Sequence, residues 1–160
     1  MPAAEPTHVY VLGFNDSVIK VGRTSNPDRR RLQHANHALI RRATINNEWL
    51  LEVPNAKEAE FWLKVLGHQH LEALMGEYFS GDFDTFMAVV IKGFQRRGII
   101  PAETVTFDEA VARTGVYPKY LAGSHEEIRM YQIEGRGRYL VSELDQWWSE
   151  QDRPHDAAAV

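Results

Sequence analysis

The chain contains no cysteine, so disulfides and thiolate zinc sites are excluded, and any metal must be met by oxygen or imidazole ligands. No run approaches the ~18 apolar residues that a membrane-spanning helix needs. The opening Met1-Pro2-Ala3-Ala4-Glu5 lacks the basic and apolar regions of a secretory leader. The expectation is a cytoplasmic protein that does not engage a membrane. Internal repeats are missing as well. A large charge excess is also absent: 18 Lys+Arg stand against 22 Asp+Glu, net −4, which argues against a chain that coats nucleic acid over its whole surface.

With 160 residues, 44% hydrophobic and 25% charged, there is enough chain for one ordinary domain or two small ones with real cores. The charge is unevenly spread. Residues 1–50 carry seven Lys+Arg against four Asp+Glu, and residues 101–160 carry six against eleven. A phosphate-binding face therefore belongs on the N-terminal part.

That part holds the most informative stretch, His8 to Arg31. Val9, Val11 and Phe14 around Tyr10 and Leu12, the polar turn Asn15-Asp16-Ser17, and Val18-Ile19-Lys20-Val21-Gly22 read as a β-hairpin. Ser25 or Asn26 then offers an N-cap and Pro27 suits a first helical position, so a helix is expected from Pro27 to about Asn36.

Taken in order, these residues resemble the GIY-YIG nuclease superfamily. Val9-Tyr10 matches the Ile-Tyr of the first triplet, and Lys20-Val21-Gly22 matches the Tyr-Ile-Gly of the second. Arg30 follows Gly22 by eight residues, the spacing of the family's catalytic arginine, and His34 follows by twelve, where some members carry His or Tyr. Two departures stand out: no glycine opens the first triplet, and Lys20 replaces the second tyrosine. Lys20 to Thr24 looks like the Lys-Ile-Gly-Arg-Thr form of a phage and bacterial branch, to which Ala59-Glu60 and Gly76-Glu77-Tyr78-Phe79 are also similar. The resemblance spans about residues 8–80. It implies a small sheet of three to four strands with flanking helices, and a divalent metal, Mg²⁺ or Mn²⁺, held by Glu60.

Further along, a third strand is expected near Trp49 to Val53. A helix from about Ala56 to Leu74 follows, capped by Asn55 with Glu58, and Gly67 inside it is a candidate kink. Gly76 to Gly81 reads as a loop or brief strand. Asp82 caps a helix to about Arg97. A domain boundary is placed at about residue 101. Beyond it, Thr106 and Glu109 form a second capping box for a helix to Thr114. Next come a helix from Tyr117 to about Glu127, a hairpin of Ile128–Ile133 with Tyr139–Val141, and a last helix Glu143–Glu150 capped by Ser142. That order resembles the winged helix-turn-helix of the excisionase and MerR-type group, and it implies DNA contacts from Lys119, Arg136 and Arg138. The division is thus 1–101, 102–150 and a disordered tail, 151–160. The fold class is α+β.

Phosphodiester hydrolysis requires a base for the attacking water and cations for the phosphate. Tyr10 can be the base if a neighbouring cation lowers its pKa from about 10. Lys20 can supply that charge, and Arg30 a planar fork for two phosphate oxygens. Arg23 and His34 complete the candidate catalytic set, Arg29 and Arg31 add DNA contacts, and Tyr10, Lys20, Arg30 and Glu60 should converge on one surface. Each residue also has a plainer role open to it: Tyr10 packed in a sheet, Lys20 guarding a strand edge, Glu60 favoured at a helix start, and Arg29 to Arg31 forming a solvated face. Glu77 is read as anchoring its loop through backbone. The leading expectation is a metal-dependent DNA endonuclease of phage or mobile-element origin, targeted partly by its C-terminal module. A non-cleaving DNA-binding regulator and a protein-docking adaptor using the acidic C-terminal third are the alternatives.

Overall fold

The computed structural model describes residues 5–133 and 135–151. These form a mixed α+β structure with six α-helices and eight strands in two antiparallel sheets. No helix among them is long and apolar enough to cross a membrane. The chain divides into two compact units between Phe94 and Gln95, ahead of the boundary expected near residue 101. Arg96, in the last turn of a helix, already belongs with the second unit, where its Nε donates to Glu143 Oε1 at 2.9 Å.

In the first unit, β1 (His8–Phe14) and β2 (Val18–Thr24) form the expected hairpin. The turn closes with Ser17 in the left-handed region (φ 62°) and its N–H on Phe14 C=O at 3.1 Å. Helix α1 (Pro27–Ala38) starts where Asn26 Oδ1 accepts from Arg29 N–H at 3.1 Å and Pro27 supplies the fixed φ of a first turn. Strand β3 (Ile45–Glu52) is longer than expected because it pairs with β1 along nearly its whole length, from Glu52 opposite His8 to Ile45 opposite Phe14. Asn55 caps α2 (Ala56–His70), accepting from Glu58 N–H at 3.1 Å. This helix stops at His70 rather than continuing to Leu74, because Glu72–Ala73 (β4) folds back against Tyr78–Ser80 (β5). The sheet therefore has five strands, in the order β3-β1-β2-β5-β4, and not three or four. The two extra strands are too short for alternation to reveal them. Helix α3 (Phe83–Arg96) opens at Asp82, whose Oδ2 accepts from Thr85 N–H at 2.9 Å.

Alternation divides the sheet's two faces. Tyr10, Leu12 and Phe14 pack with Ala38 and Ala43 on the α1 side. Val9, Val11, Ile19, Val21 and Phe79 face the other way, where Leu63, Phe86, Val90 and Phe94 are buried. Gly67 belongs to this second layer: a Cβ there would lie 2.7 Å from Phe79 Cζ, so the glycine lets α2 approach the sheet.

The second unit packs α4 (Phe107–Thr114), α5 (Pro118–Gly123) and α6 (Val141–Glu150) with a sheet of β6 (Thr104–Val105), β8 (Arg136–Leu140) and β7 (Tyr131–Ile133), in the order β6-β8-β7. Its core is Ala110, Leu121, Ile128, Tyr139, Leu144 and Trp147 with their neighbours. The Thr106–Glu109 capping box is present in full. Helix α5 is shorter than the expected Tyr117–Glu127, since Ser124 Oγ donates to Tyr120 C=O at 2.8 Å and its own N–H turns back to Leu121 C=O. Ser142 is not a cap: β8 runs directly into α6, whose cap position is Leu140. The tail expected to be disordered lies outside the described residues apart from Gln151.

Candidate active site

Tyr10 stands opposite Gly22 in the β1–β2 register. Its ring lies directly over that glycine: a Cβ on Gly22 would be 2.3 Å from the phenol oxygen. The missing side chain lets the phenol reach α1, where its oxygen is 2.9 Å from His34 Nε2. With the imidazole proton at Nδ1, the phenol O–H donates to Nε2. His34 Nδ1 is buried with no hydrogen-bond partner among the described residues. Arg30, one turn before His34 on α1, is exposed, and with Tyr10, Leu12, Arg31, Glu48 and Leu50 it lines a cleft between α1 and β3.

Burial, more than any charge, sets the protonation of this pair. It pushes the Tyr10 phenol above its ordinary range, against the pull of Arg30 and with the push of Glu77 and Glu60. The expected lowering by a nearby cation is therefore corrected, because desolvation outweighs Arg30. Burial, followed by the charges of Lys20, Arg30 and His37, lowers the His34 pKa to about 4. At neutral pH both side chains are uncharged.

Lys20, opposite Leu12, shares the Tyr10 face. Its Nζ lies 4.8 Å from the Tyr78 ring centroid and pairs with Glu77 Oε2. Glu77 Oε1 in turn meets Lys64 Nζ at 3.0 Å, Lys64 Nζ meets Glu60 Oε1 at 3.1 Å, and Arg23 Nε lies 3.9 Å from the same oxygen. This chain of five alternating charges passes round β2 where its pairing with β5 ends, at Lys20 opposite Tyr78. Burial raises the Glu77 carboxyl, but hydrogen bonds from Lys20 and Lys64 prevail and hold it below the usual range. The bond to Glu77 raises the Lys64 pKa, so its head stays charged.

Of the four residues expected to converge, Tyr10, Lys20 and Arg30 lie on the α1 side, where His34 joins them. Glu60 does not converge with them: it comes from α2 in the opposite layer with Arg23 and connects to the others only round the strand edge. Neither Lys64 nor the full role of Glu77 was foreseen. Glu77 binds two lysines instead of anchoring its loop to backbone. The position of Lys64, four residues after Glu60, was the available signal.

The proposed DNA-contacting residues separate into two groups. Arg29, Lys119 and Arg136 are exposed. Arg31 Nε donates to Glu48 Oε2 at 2.7 Å. Arg138 Nε donates to Thr104 Oγ1 at 2.6 Å and its Nη2 to Thr104 C=O at 3.3 Å, which braces β8 against β6.

No group of three or more His, Asp or Glu side chains suited to a metal assembles among the described residues. Glu60 and Glu77 hold the Lys64 ammonium between their carboxylates, and Arg23 stands beside the same Glu60 oxygen, so the one carboxylate expected to hold a divalent ion is already met by cations. A search of protein-family models, curated proteins and solved structures finds no match to this chain.

Proposed function

We propose that this protein is a metal-dependent DNA endonuclease of GIY-YIG type, with a winged helix-turn-helix as its second unit. The observation that carries the reading is the Tyr10 phenol, held over Gly22 against His34 with Arg30 and Lys20 on the same side of the sheet. In the reaction a water attacks phosphorus while the bond to the leaving sugar oxygen breaks, and that oxygen takes up a proton from solvent water. The water's proton passes to the Tyr10 oxygen as the Tyr10 proton moves to His34 Nε2. A neutral phenol relays a proton without having to ionise first, so the raised pKa of Tyr10 suits this step. The bound phosphodiester is an anion, and its charge raises the His34 pKa from about 4 toward neutrality. Arg30 grips two phosphate oxygens with its fork, and Lys20 adds positive charge beside them. Glu60 would hold Mg²⁺ or Mn²⁺, which when bound supplies Lewis-acid stabilisation of charge on oxygen.

In the second unit, the order β6, α4, α5, β7, β8, α6 supports α5 as the groove-facing helix, with Lys119 on it and Arg136 on the wing meeting phosphates. Supercoiled plasmid incubated with Mg²⁺ or Mn²⁺ tests the reading: nicking is expected, with Tyr10→Phe reducing it about 100-fold or more. A second reading, a DNA-binding protein that does not cut, is favoured by the engagement of Glu60 with Lys64 and Arg23. Salt-sensitive DNA binding with no nicking under any divalent ion would establish it instead.

A further inference from the structure

Strand β3 lies at one edge of the five-stranded sheet, eight residues long and with neither lysine nor proline in it, the residues that commonly guard such edges. Val53 N–H turns inward to Thr7 C=O at 2.9 Å, so backbone alternation turns the N–H and C=O of Glu48, Leu50 and Glu52 outward. No backbone partner meets them there among the described residues. We propose that this edge receives a second copy of the same chain, β3 pairing antiparallel with β3 about Trp49, so that two five-stranded sheets become one. The proposal stands apart from the endonuclease reading, since it uses only the edge and the helix beside it.

Two features select a second copy as the occupant. The first is register. Centring the pair on Glu48 would set that carboxylate against itself, and centring it on Leu50 would set Glu48 against Glu52, in both cases like charges directly opposite. Centring on Trp49 sets Glu48, whose charge Arg31 already meets at 2.7 Å, against Leu50, and it turns Glu52 toward Asn46. The second is cover. A two-fold axis perpendicular to the joined sheet keeps like faces together, so both α1 helices lie on the same side of the seam. Buried His34 and Ala38 mark the side of α1 that rests on the sheet, and Arg31, bonded to Glu48, marks its β3 flank. Leu32 and Leu39, one and eight residues on from Arg31, continue round that flank and are 61% and 64% exposed, while Leu50 on the strand is 49% exposed. In the pair these leucines meet their copies across the seam and leave water together. A lone peptide strand on the same edge would satisfy the backbone but leave Leu32 and Leu39 exposed.

Sedimentation velocity on the full chain tests the pairing. Wild type at about 50 μM should sediment near twice the 18.3 kDa chain mass, as a dimer with a Kd of about 1 μM or tighter does. The double substitution Leu32→Asp with Leu39→Asp should weaken the dimer at least about tenfold, and so should Leu50→Glu, which sets a carboxylate against the partner's Glu48. Leu50→Lys should stay closer to wild type than Leu50→Glu, because its ammonium faces that same carboxylate. A monomeric wild type overturns the proposal, as does a dimer that either the paired aspartates or Leu50→Glu leaves at wild-type strength. Equal losses for Leu50→Glu and Leu50→Lys overturn the Trp49 register. Should a variant not fold, amide hydrogen exchange in the wild-type chain decides the matter. The outward N–H groups of Glu48 and Leu50 must exchange more slowly as chain concentration rises, and exchange equally fast at every concentration refutes the pairing.

Discussion

Gly22→Ala would put a methyl group 2.3 Å from the Tyr10 hydroxyl, so either the phenol leaves His34 or the hairpin distorts. Overpacking of this kind costs about 1–3 kcal/mol, and urea denaturation should show a loss in that range together with loss of nicking. Tyr10→Phe removes only the hydroxyl and strands His34 Nε2 without its donor. A stability loss of about 1 kcal/mol is expected, which separates a folded, inactive protein from an unfolded one. His34 also carries a pH prediction. Its folded pKa of about 4 lies below its ordinary 6.5, so between these values the unfolded chain takes up a proton that the folded chain refuses. Stability should therefore fall as pH drops from about 6.5 to about 4. Unfolding measured at pH 6.5 and 4.5 should show a smaller drop in His34→Gln than in wild type, and equal drops would remove His34 from the account.

Helix α2 is positioned by the contact of Gly67 with Phe79. Alanine there improves helix propensity by about 1 kcal/mol but directs its Cβ to within 2.7 Å of the ring, and overpacking at about 1–3 kcal/mol prevails. Gly67→Ala should lower the urea midpoint, and a raised midpoint would mean that Phe79 moves aside freely. The glycine was legible in the sequence only as a candidate kink, because its purpose lies in a strand twelve residues later. Elements with local signals were readable: the β1–β2 hairpin, the Asn26, Asn55 and Asp82 caps, and the Thr106 capping box all depend on neighbours within a few residues. Those that depend on distant partners were not. β4 and β6 are two residues long and exist by pairing, β5 was open only as a loop or brief strand, and α5 ends early where the Ser124 hydroxyl and N–H both turn back. The site divides in the same way. Tyr10 with His34 follows from motif spacing, whereas the Lys64 link between Glu60 and Glu77 needed the β4–β5 turn to bring residue 77 beside β2.

Across the whole molecule, the proposed binding of DNA is tested by salt dependence. If Lys119 and Arg136 neutralise phosphates, replacing each with alanine should reduce the slope of log affinity against log salt by about 0.9 on duplex DNA. Arg138→Ala should leave the slope unchanged and instead lower Tm, since that guanidinium is used on Thr104. A slope change for Arg138 equal to that for Arg136 would show that it leaves β6 to reach DNA. Unchanged slopes for all three would favour protein docking by the second unit, consistent with the excess of carboxylates beyond residue 100.

The chain from Arg23 through Glu60, Lys64 and Glu77 to Lys20 has an odd number of members, with a cation at each end. Removing an end member leaves a neutral, still alternating row, while removing an interior member leaves two like charges as neighbours. Substitutions should consequently accumulate from the outside inward. For folding alone, positions 23 and 20 tolerate single changes, whereas 60, 64 and 77 do so only in compensated pairs. A deep mutational scan scored on folding would display that parity directly, as tolerance at the two termini of the row and pairwise rescue within it.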